Sequence, residues 1–378
     1  MKYTIALISL FLIYHKTIDA LNPWWRLLIF PILALIVHNR TQIDDELKKL
    51  FSRPKLIKNL TIILVLLFSF RMGKSIYNIA RPLKAIEDIS VVHEQAIDYL
   101  FVKKENPYNH ILFELAPITI VRNGVSDTYS GFIYTPLGII YYAPFVHWLG
   151  RKGMYLGNFF AYWGVFILLV LTLKRYGQGY FLLGSLFFLS IDYVFTKSFN
   201  RGTNDFVPAF LMLLAILLSD KNKRSLSGIV LGLCLGFKQY PGAILSFIFF
   251  LNKKFRVVII SSFVLAAVLL PFAINNFKTL YRQIFEVFLF APIGNTILKD
   301  FPEFTRWPIS LAAIIFMIYF SLRKKCSTDW DKILIPFIIF IVFTKSSFTT
   351  YFICLFPISI FWFLNIPRHR DEKSLKQS

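Results

Sequence analysis

Three polar clusters in a very apolar chain have residue types and spacings that suit chemistry. In the first, Asp88 stands beside Glu87, with His93 and Glu94 one to two helical turns further on. A carboxylate placed directly after an apolar helix suits a general base acting on a hydroxyl. The plainer role is a solvated loop acid or a cap for the helix that follows. In the second, the stretch NRGTND at 200–205 puts a guanidinium (Arg201), a glycine and a carboxylate (Asp205) ahead of an apolar run. Arginine's planar donor fork fits phosphate, while Asn204 or Asp205 serves equally as a helix cap. In the third, GFKQYP at 236–241 sets Lys238 between two apolar half-helices, where a cation costs about 3 kcal/mol at the bilayer centre and faces a partner or a water-filled cavity. Snorkelling from a helix end is the alternative. Lys345 lies in a small polar tip, 345–351, and reaches the same cavity or belongs to an ordinary loop. Tyr134 and Tyr240 complete the substrate-side candidates, although Tyr134 also fits, with Tyr141, Tyr142 and Trp148, packing or an interfacial aromatic belt.

Composition sets the surroundings of these clusters. Apolar residues make up 56% of the chain and charged ones 17%, with a mean hydropathy of +0.59; soluble domains carry about 25% charged residues. The apolar runs are continuous rather than alternating, so the reading is an all-α polytopic membrane protein, not a barrel. A net charge of +21 would suggest nucleic acid in a soluble chain. Here the cations sit in short loops between apolar runs, as the positive-inside rule requires, and no nucleic-acid partner is expected. The three cysteines, Cys234, Cys326 and Cys354, show no metal-ligand spacing.

These runs organise the chain into about 11–13 membrane segments in one domain, 1–365, followed by a basic cytoplasmic tail, 366–378. The first run, 3–14, reads as a retained helix rather than a cleaved signal. The loop 40–58 holds six Lys/Arg and is placed in the cytoplasm, with a short surface helix over 44–51. The run from residue 60 then crosses outward. Segment 81–132 carries seven Asp/Glu against five Lys/Arg, the one long loop with a negative balance, and is placed outside. Ile86, Ile89, Val92, Ala96, Ile97 and Leu100 keep a helical period, so an interfacial helix is expected there. Further runs follow at 133–148, 155–173, 180–195, 206–218, 226–237, 242–251, 257–272, 308–322, 333–343 and 351–363. One conflict stands: the basic turns at 151–152, 174–175 and 221–224 all favour the cytoplasm, yet they cannot all lie there if every intervening run spans. Two half-helices meeting at 238–241 would ease it.

The order of motifs resembles the polyprenyl-phosphate-mannose-dependent mannosyltransferases, glycosyltransferase family 87-like enzymes with the GT-C architecture. The resemblance rests on an acidic residue after an early span, a helix and then Asn106, Pro107 and Tyr108. It rests also on YTPL at 134–137, an Arg-Gly helix start, and above all GIVLGLCLGFKQYP at 228–241. It covers about residues 74–251. The chain departs from it by two extra N-terminal apolar segments and by Thr349, Thr350 and Tyr351, where a histidine often precedes an aromatic. The resemblance implies an inverting hexosyltransfer, of mannose in the first instance, from a polyprenyl-phosphate sugar to a lipid-linked or envelope glycan. The reaction would take place on the extracytoplasmic face of the plasma membrane, with Asp88 as base, Lys238 and Arg201 at the donor phosphate, and no cofactor or metal. The competing readings are a transporter or flippase of a lipid-linked saccharide, which inverted repeats would favour, and an O-antigen polymerase or ligase, whose large loop falls later in the chain.

Overall fold

The computed structural model describes residues 38–81, 88–110, 112, 118–122, 125–129, 132, 134–191, 203–286, 301–322, 330–343 and 351–364, with isolated positions among the rest. Along these the helices are α1 (Arg40–Phe51), α2 (Pro54–Ala80), α3 (Asp88–Ile97), α4 (Leu137–Leu149), α5 (Gly153–Leu173), α6 (Gln178–Ser190), α7 (Phe206–Asp220), α8 (Arg224–Phe237), α9 (Gln239–Leu251), α10 (Phe255–Tyr281), α11 (Glu303–Leu322), α12 (Asp331–Phe343) and α13 (Tyr351–Leu364). The all-α fold class holds. One small exception is an antiparallel hairpin, β1 (Ile118–Arg122) with β2 (Val125–Tyr129), in register from Ile118 opposite Tyr129 to Arg122 opposite Val125.

Helix α2, residues 255–274 of α10, most of α11, and the helical stretch Leu137–Tyr176 are long and apolar enough to cross a membrane. Their outer faces carry bare apolar side chains, such as Leu66, Phe263 and Leu311 at 65%, 72% and 59% exposure, which only lipid would shelter. Leu137–Tyr176 is not one rod. The Tyr141 hydroxyl donates to the Gly157 carbonyl at 2.8 Å and that of Tyr142 to Asn158 Oδ1 at 2.7 Å. A Cβ on Gly153 would fall within 2.2 Å of the Phe145 backbone. The chain therefore turns back at 150–152. At 1.5 Å per residue, α5 measures about 31 Å and spans a hydrocarbon core of about 30 Å, whereas α4 measures about 20 Å and does not.

That turn answers part of the conflict left by the basic loops. Arg151 forms an ion pair with Glu94 of α3 at 2.5 Å, and Lys152 Nζ donates to the carbonyl of Ala80, the last residue of α2. Residues 151–152 therefore lie on the same side as the acidic segment they neutralise, and the expectation that puts them opposite it fails. Charge counting could not separate a cation that answers a carboxylate from one that obeys the positive-inside rule.

Packing divides the chain into two compact units: Met1–Ile76, Gly164–Phe195 and Gly294–Ser378 form one, Tyr77–Trp163 and Thr196–Ile293 the other. In the first unit the ring of Trp330 stacks on that of Phe361, and the Trp362 indole donates to buried Asp331 at 2.6 Å. Asp331 opens α12, where a carboxylate favours the helix dipole. In the second, the glycines of α8 form a stripe. A Cβ on Gly228, Gly232 or Gly236 would meet Ile260, Val264 or Val268 of α10 at 2.7, 2.5 and 3.1 Å. Two helices in lipid associate through such close approach of small residues. The glycine-rich stretch is a packing ridge, and it delivers Lys238 to its place.

Candidate active site

α8 makes its last backbone bond from Lys238 N to Cys234 O at 2.9 Å. Lys238 itself is extended (φ −149°, ψ 106°) and serves as the junction to α9. Pro241 is the third residue of α9, where a missing N–H costs nothing because the first four donors of a helix lack intrahelical partners. The break is one residue wide, narrower than the four residues of the sequence reading. Gly242 closes α9 against Leu235, so the two half-helices hold the lysine from both sides.

The buried ammonium of Lys238 lies 2.5 Å from Asp205 Oδ1 and 3.1 Å from Asn204 Oδ1, with the Tyr134 ring 5.7 Å away. Asp205 occupies the cap position of α7, yet its side chain makes no capping bond. The turn before α7 is held in turn by Asn158, whose Nδ2 donates to the Thr203 carbonyl at 2.9 Å while its Oδ1 accepts from Tyr142.

Tyr134 is positioned by two separate links. Thr135 Oγ1 donates to the Leu235 carbonyl at 3.0 Å, fastening the start of α4 to the end of α8. The Tyr108 hydroxyl donates to the Tyr134 carbonyl at 2.6 Å. Tyr108 sits in a 3-10 turn, Pro107–Asn109, capped by Asn106 Oδ1, and Asn106 Nδ2 reaches the Phe272 carbonyl of α10. Asn276 breaks the helical geometry of α10 four residues on, so this side chain supplies a donor where the helix offers none in good geometry. Asn106, Pro107 and Tyr108 thus act as a strut.

His93 completes the cluster from α3. Its ring packs on Tyr134 at 5.3 Å and edge-on to Phe132 and Tyr142 at 4.9 and 5.4 Å. Nδ1 lies 2.8 Å from the Ile89 carbonyl; since a carbonyl only accepts, Nδ1 carries the proton and Nε2 holds a lone pair. Burial first, and the charge of Lys238 after it, push the imidazole down to about 4, against the hydrogen bond to Ile89, so it is neutral at ordinary pH. Nε2 is buried without a hydrogen-bond partner among the described residues, and a Cβ on Gly138 would come within 3.1 Å of it.

Of the sequence candidates, the structure brings together His93, Tyr134, Asp205 and Lys238. Asp88 is the first residue of α3, five positions before His93; its side chain lies outside the described residues. Tyr240 is half-buried in the first turn of α9. Glu87, Arg201 and Lys345 lie outside the described residues. Sequence reasoning missed Asn158, Asn204 as a lysine partner, and the struts Tyr108 and Thr135. A lone asparagine in the 21-residue apolar α5 was the signal available for Asn158. Among the described residues no group of three His, Cys, Asp or Glu could hold a metal ion.

The arrangement offers a buried cation paired with a carboxylate, an aromatic wall and a neutral acceptor nitrogen. No curated protein matches the chain. The sequence model of glycosyltransferase family 87 matches residues 132–291, which hold Tyr134, Asn158, Asp205 and Lys238. Over that region the chain is similar to glycosyltransferase family 87, and the membrane-length apolar helices described above agree with a membrane enzyme of that kind.

Proposed function

We propose that the protein moves a hexose, mannose in the first instance, from a polyprenyl-phosphate donor to a lipid-linked or envelope glycan. The transfer takes place on the extracytoplasmic face of the plasma membrane and inverts the anomeric centre. The observation that carries this reading is Lys238, a buried cation at a helix break facing Asp205 and the Tyr134 ring. A phosphate-bearing lipid is the anionic partner such a residue suits.

In the proposed reaction, Asp88 takes the proton of the acceptor hydroxyl and the oxygen attacks the anomeric carbon. The bond from that carbon to the phosphate oxygen breaks, and the polyprenyl phosphate leaves with the electron pair. Lys238, with Arg201 beside the same turn in sequence, offsets the charge that grows on the phosphate. Because Lys238 is already paired, the donor phosphate must share the ammonium with Asp205 or displace the carboxylate. His93 Nε2 accepts a hydrogen bond from a sugar or acceptor hydroxyl, and Tyr134 and Tyr240 wall the sugar. Glu87 and Lys345 are held as further substrate contacts.

Membranes containing the protein are incubated with labelled polyprenyl-phosphate sugars, and glycosidic product is measured for the wild type and Asp88→Asn. A positioned general base is worth about 10²–10⁴-fold, so the variant should lose at least about a hundredfold in rate. Full transfer by Asp88→Asn removes Asp88 from the base role. Movement of a lipid-linked saccharide across the membrane without any glycosidic bond replaces the whole reading with a transporter.

A further inference from the structure

We propose that a cleft where α1, α2 and α6 meet binds the headgroup of an anionic phospholipid, at a site separate from the Lys238 cluster. The cleft has a volume of about 540 Å³ and is lined by Phe51, Pro54, Ile57, Lys58, Thr61 and Ile62, with Ser52 and Gln178 at its rim. Its walls are built, not incidental. Ile43 and Leu47 bury one face of α1, and the Phe51 ring at its end meets the Tyr180 ring edge-on at 5.8 Å. A Cβ on Gly179 would fall within 2.1 Å of Phe51, so only glycine lets α6 start this close to the corner between α1 and α2.

The lining divides as a phospholipid does. Lys58, Ser52 and Gln178 give polar groups, and Pro54, Ile57 and Ile62 give an apolar wall. That wall continues along α2 into Ile63, Val65 and Leu66, which are 51–65% exposed and need lipid contact. Charge fixes the class of lipid. Lys48, Lys49, Arg53, Lys55 and Lys58 fall within eleven residues around the cleft, and Lys174 and Arg175 precede Gln178. Asp44, Asp45 and Glu46 precede this run on α1, but no Asp or Glu occurs from residue 47 to 86 or from 128 to 191, so the sequence around the cleft is net basic. A headgroup with a net negative charge complements this end of α2; a zwitterionic one does not.

The test uses the full chain in nanodiscs of equal phosphatidylglycerol and phosphatidylcholine, with the lipids that stay bound counted by native mass spectrometry. Each basic residue near a membrane surface contributes roughly fivefold to binding of acidic lipid, so the wild type should retain phosphatidylglycerol at least about fivefold over the bulk ratio. Lys58→Glu reverses the charge in the cleft, and Thr61→Trp fills the cleft while leaving every charge in place; both should return the ratio to bulk. Lys221→Glu, on the basic turn between α7 and α8, should leave it enriched. If Thr61→Trp does not fold, Ile57→Trp fills the same space from another position. Enrichment that survives filling of the cleft, or is lost equally in Lys221→Glu, overturns the site and assigns the effect to the general field of basic loops. Transfer activity enters none of these readings, so the site stands or falls apart from the proposed reaction.

Discussion

Two buried cations in this molecule, Arg71 and Lys238, are held in different ways, and the difference separates scaffold from site. Arg71 projects from the middle of a membrane-length helix. Its Nε donates to the Leu189 carbonyl at 2.8 Å, and its guanidinium lies 4.8 Å over the Phe195 ring. Leu189 is next to last in α6, one of the carbonyls that a helix end leaves without an intrahelical donor. Those partners are a backbone group and an aromatic face; neither can leave. Lys238 instead meets a carboxylate and an amide on side chains, at a helix break beside an acceptor nitrogen. The first arrangement closes a fold. The second can exchange one anion for another.

The largest effects should fall on that contrast. Removing one member of a buried ion pair leaves an uncompensated charge and costs about 3–5 kcal/mol, so Lys238→Ala and Asp205→Ala should each melt at clearly lower temperature and lose transfer. Replacing both, as Lys238→Met with Asp205→Leu, should regain most of the stability and none of the activity. Arg71→Met should lose about 1–3 kcal/mol through one unsatisfied buried carbonyl, while the folded fraction keeps its rate. Thermal unfolding and transfer, measured on the same preparations, decide it. Activity in the Met/Leu double variant would reduce Lys238 to a scaffold residue like Arg71.

A second contrast lies in acid response. His93 is neutral when folded, with its imidazole pushed down to about 4, whereas in the unfolded chain it takes a proton near 6.5. The unfolded state therefore binds more protons between those values. The stability from this group is complete above pH 6.5, falls as pH drops toward 4, and is then exhausted. The span amounts to roughly 3 kcal/mol. His93→Phe keeps the aromatic packing and should flatten that part of the melting-temperature profile. An unchanged profile would mean that another group carries the acid sensitivity.

How much of this was legible in the sequence depends on whether the signal was local. Lys238 was, because a lone cation between apolar runs and a following proline are both visible within six residues. Most of the helices were, though the continuation of α10 past the run 257–272, through the kink at Asn276, was not. Pairing was not. Asp205 and Lys238 are 33 residues apart, and each taken alone reads equally well as a cap or a snorkelling end. The strut from Asn106 to Phe272 crosses 166 residues, and nothing near Asn106 announces it. The hairpin is a different case. Asn123 and Gly124 between ITIVR and VSDTY are a strong local turn signal, whereas the helical period used for this segment ends at Leu100.

The smallest expected effects come from two glycines, one in each setting. Gly73 lies in α2, where a Cβ would meet nothing within 4 Å. Gly73→Ala removes backbone entropy from the unfolded chain without a clash, and should raise stability by about 0.5–1 kcal/mol. Gly138 sits in the first turn of α4, where a Cβ would lie 3.1 Å from His93 Nε2 and 3.8 Å from the Phe237 carbonyl. The carbonyl belongs to packed helix and cannot yield, so the imidazole must move by a few tenths of an ångström. That shift places a methyl group where Nε2 would accept a hydroxyl. Gly138→Ala should therefore leave stability within about 1 kcal/mol of wild type yet slow transfer severalfold. His93→Phe should remove the difference between Gly and Ala at 138, since no acceptor nitrogen is then left to block. If alanine slows the His93→Phe background by the same factor, the glycine serves helix packing alone and His93 Nε2 meets no substrate.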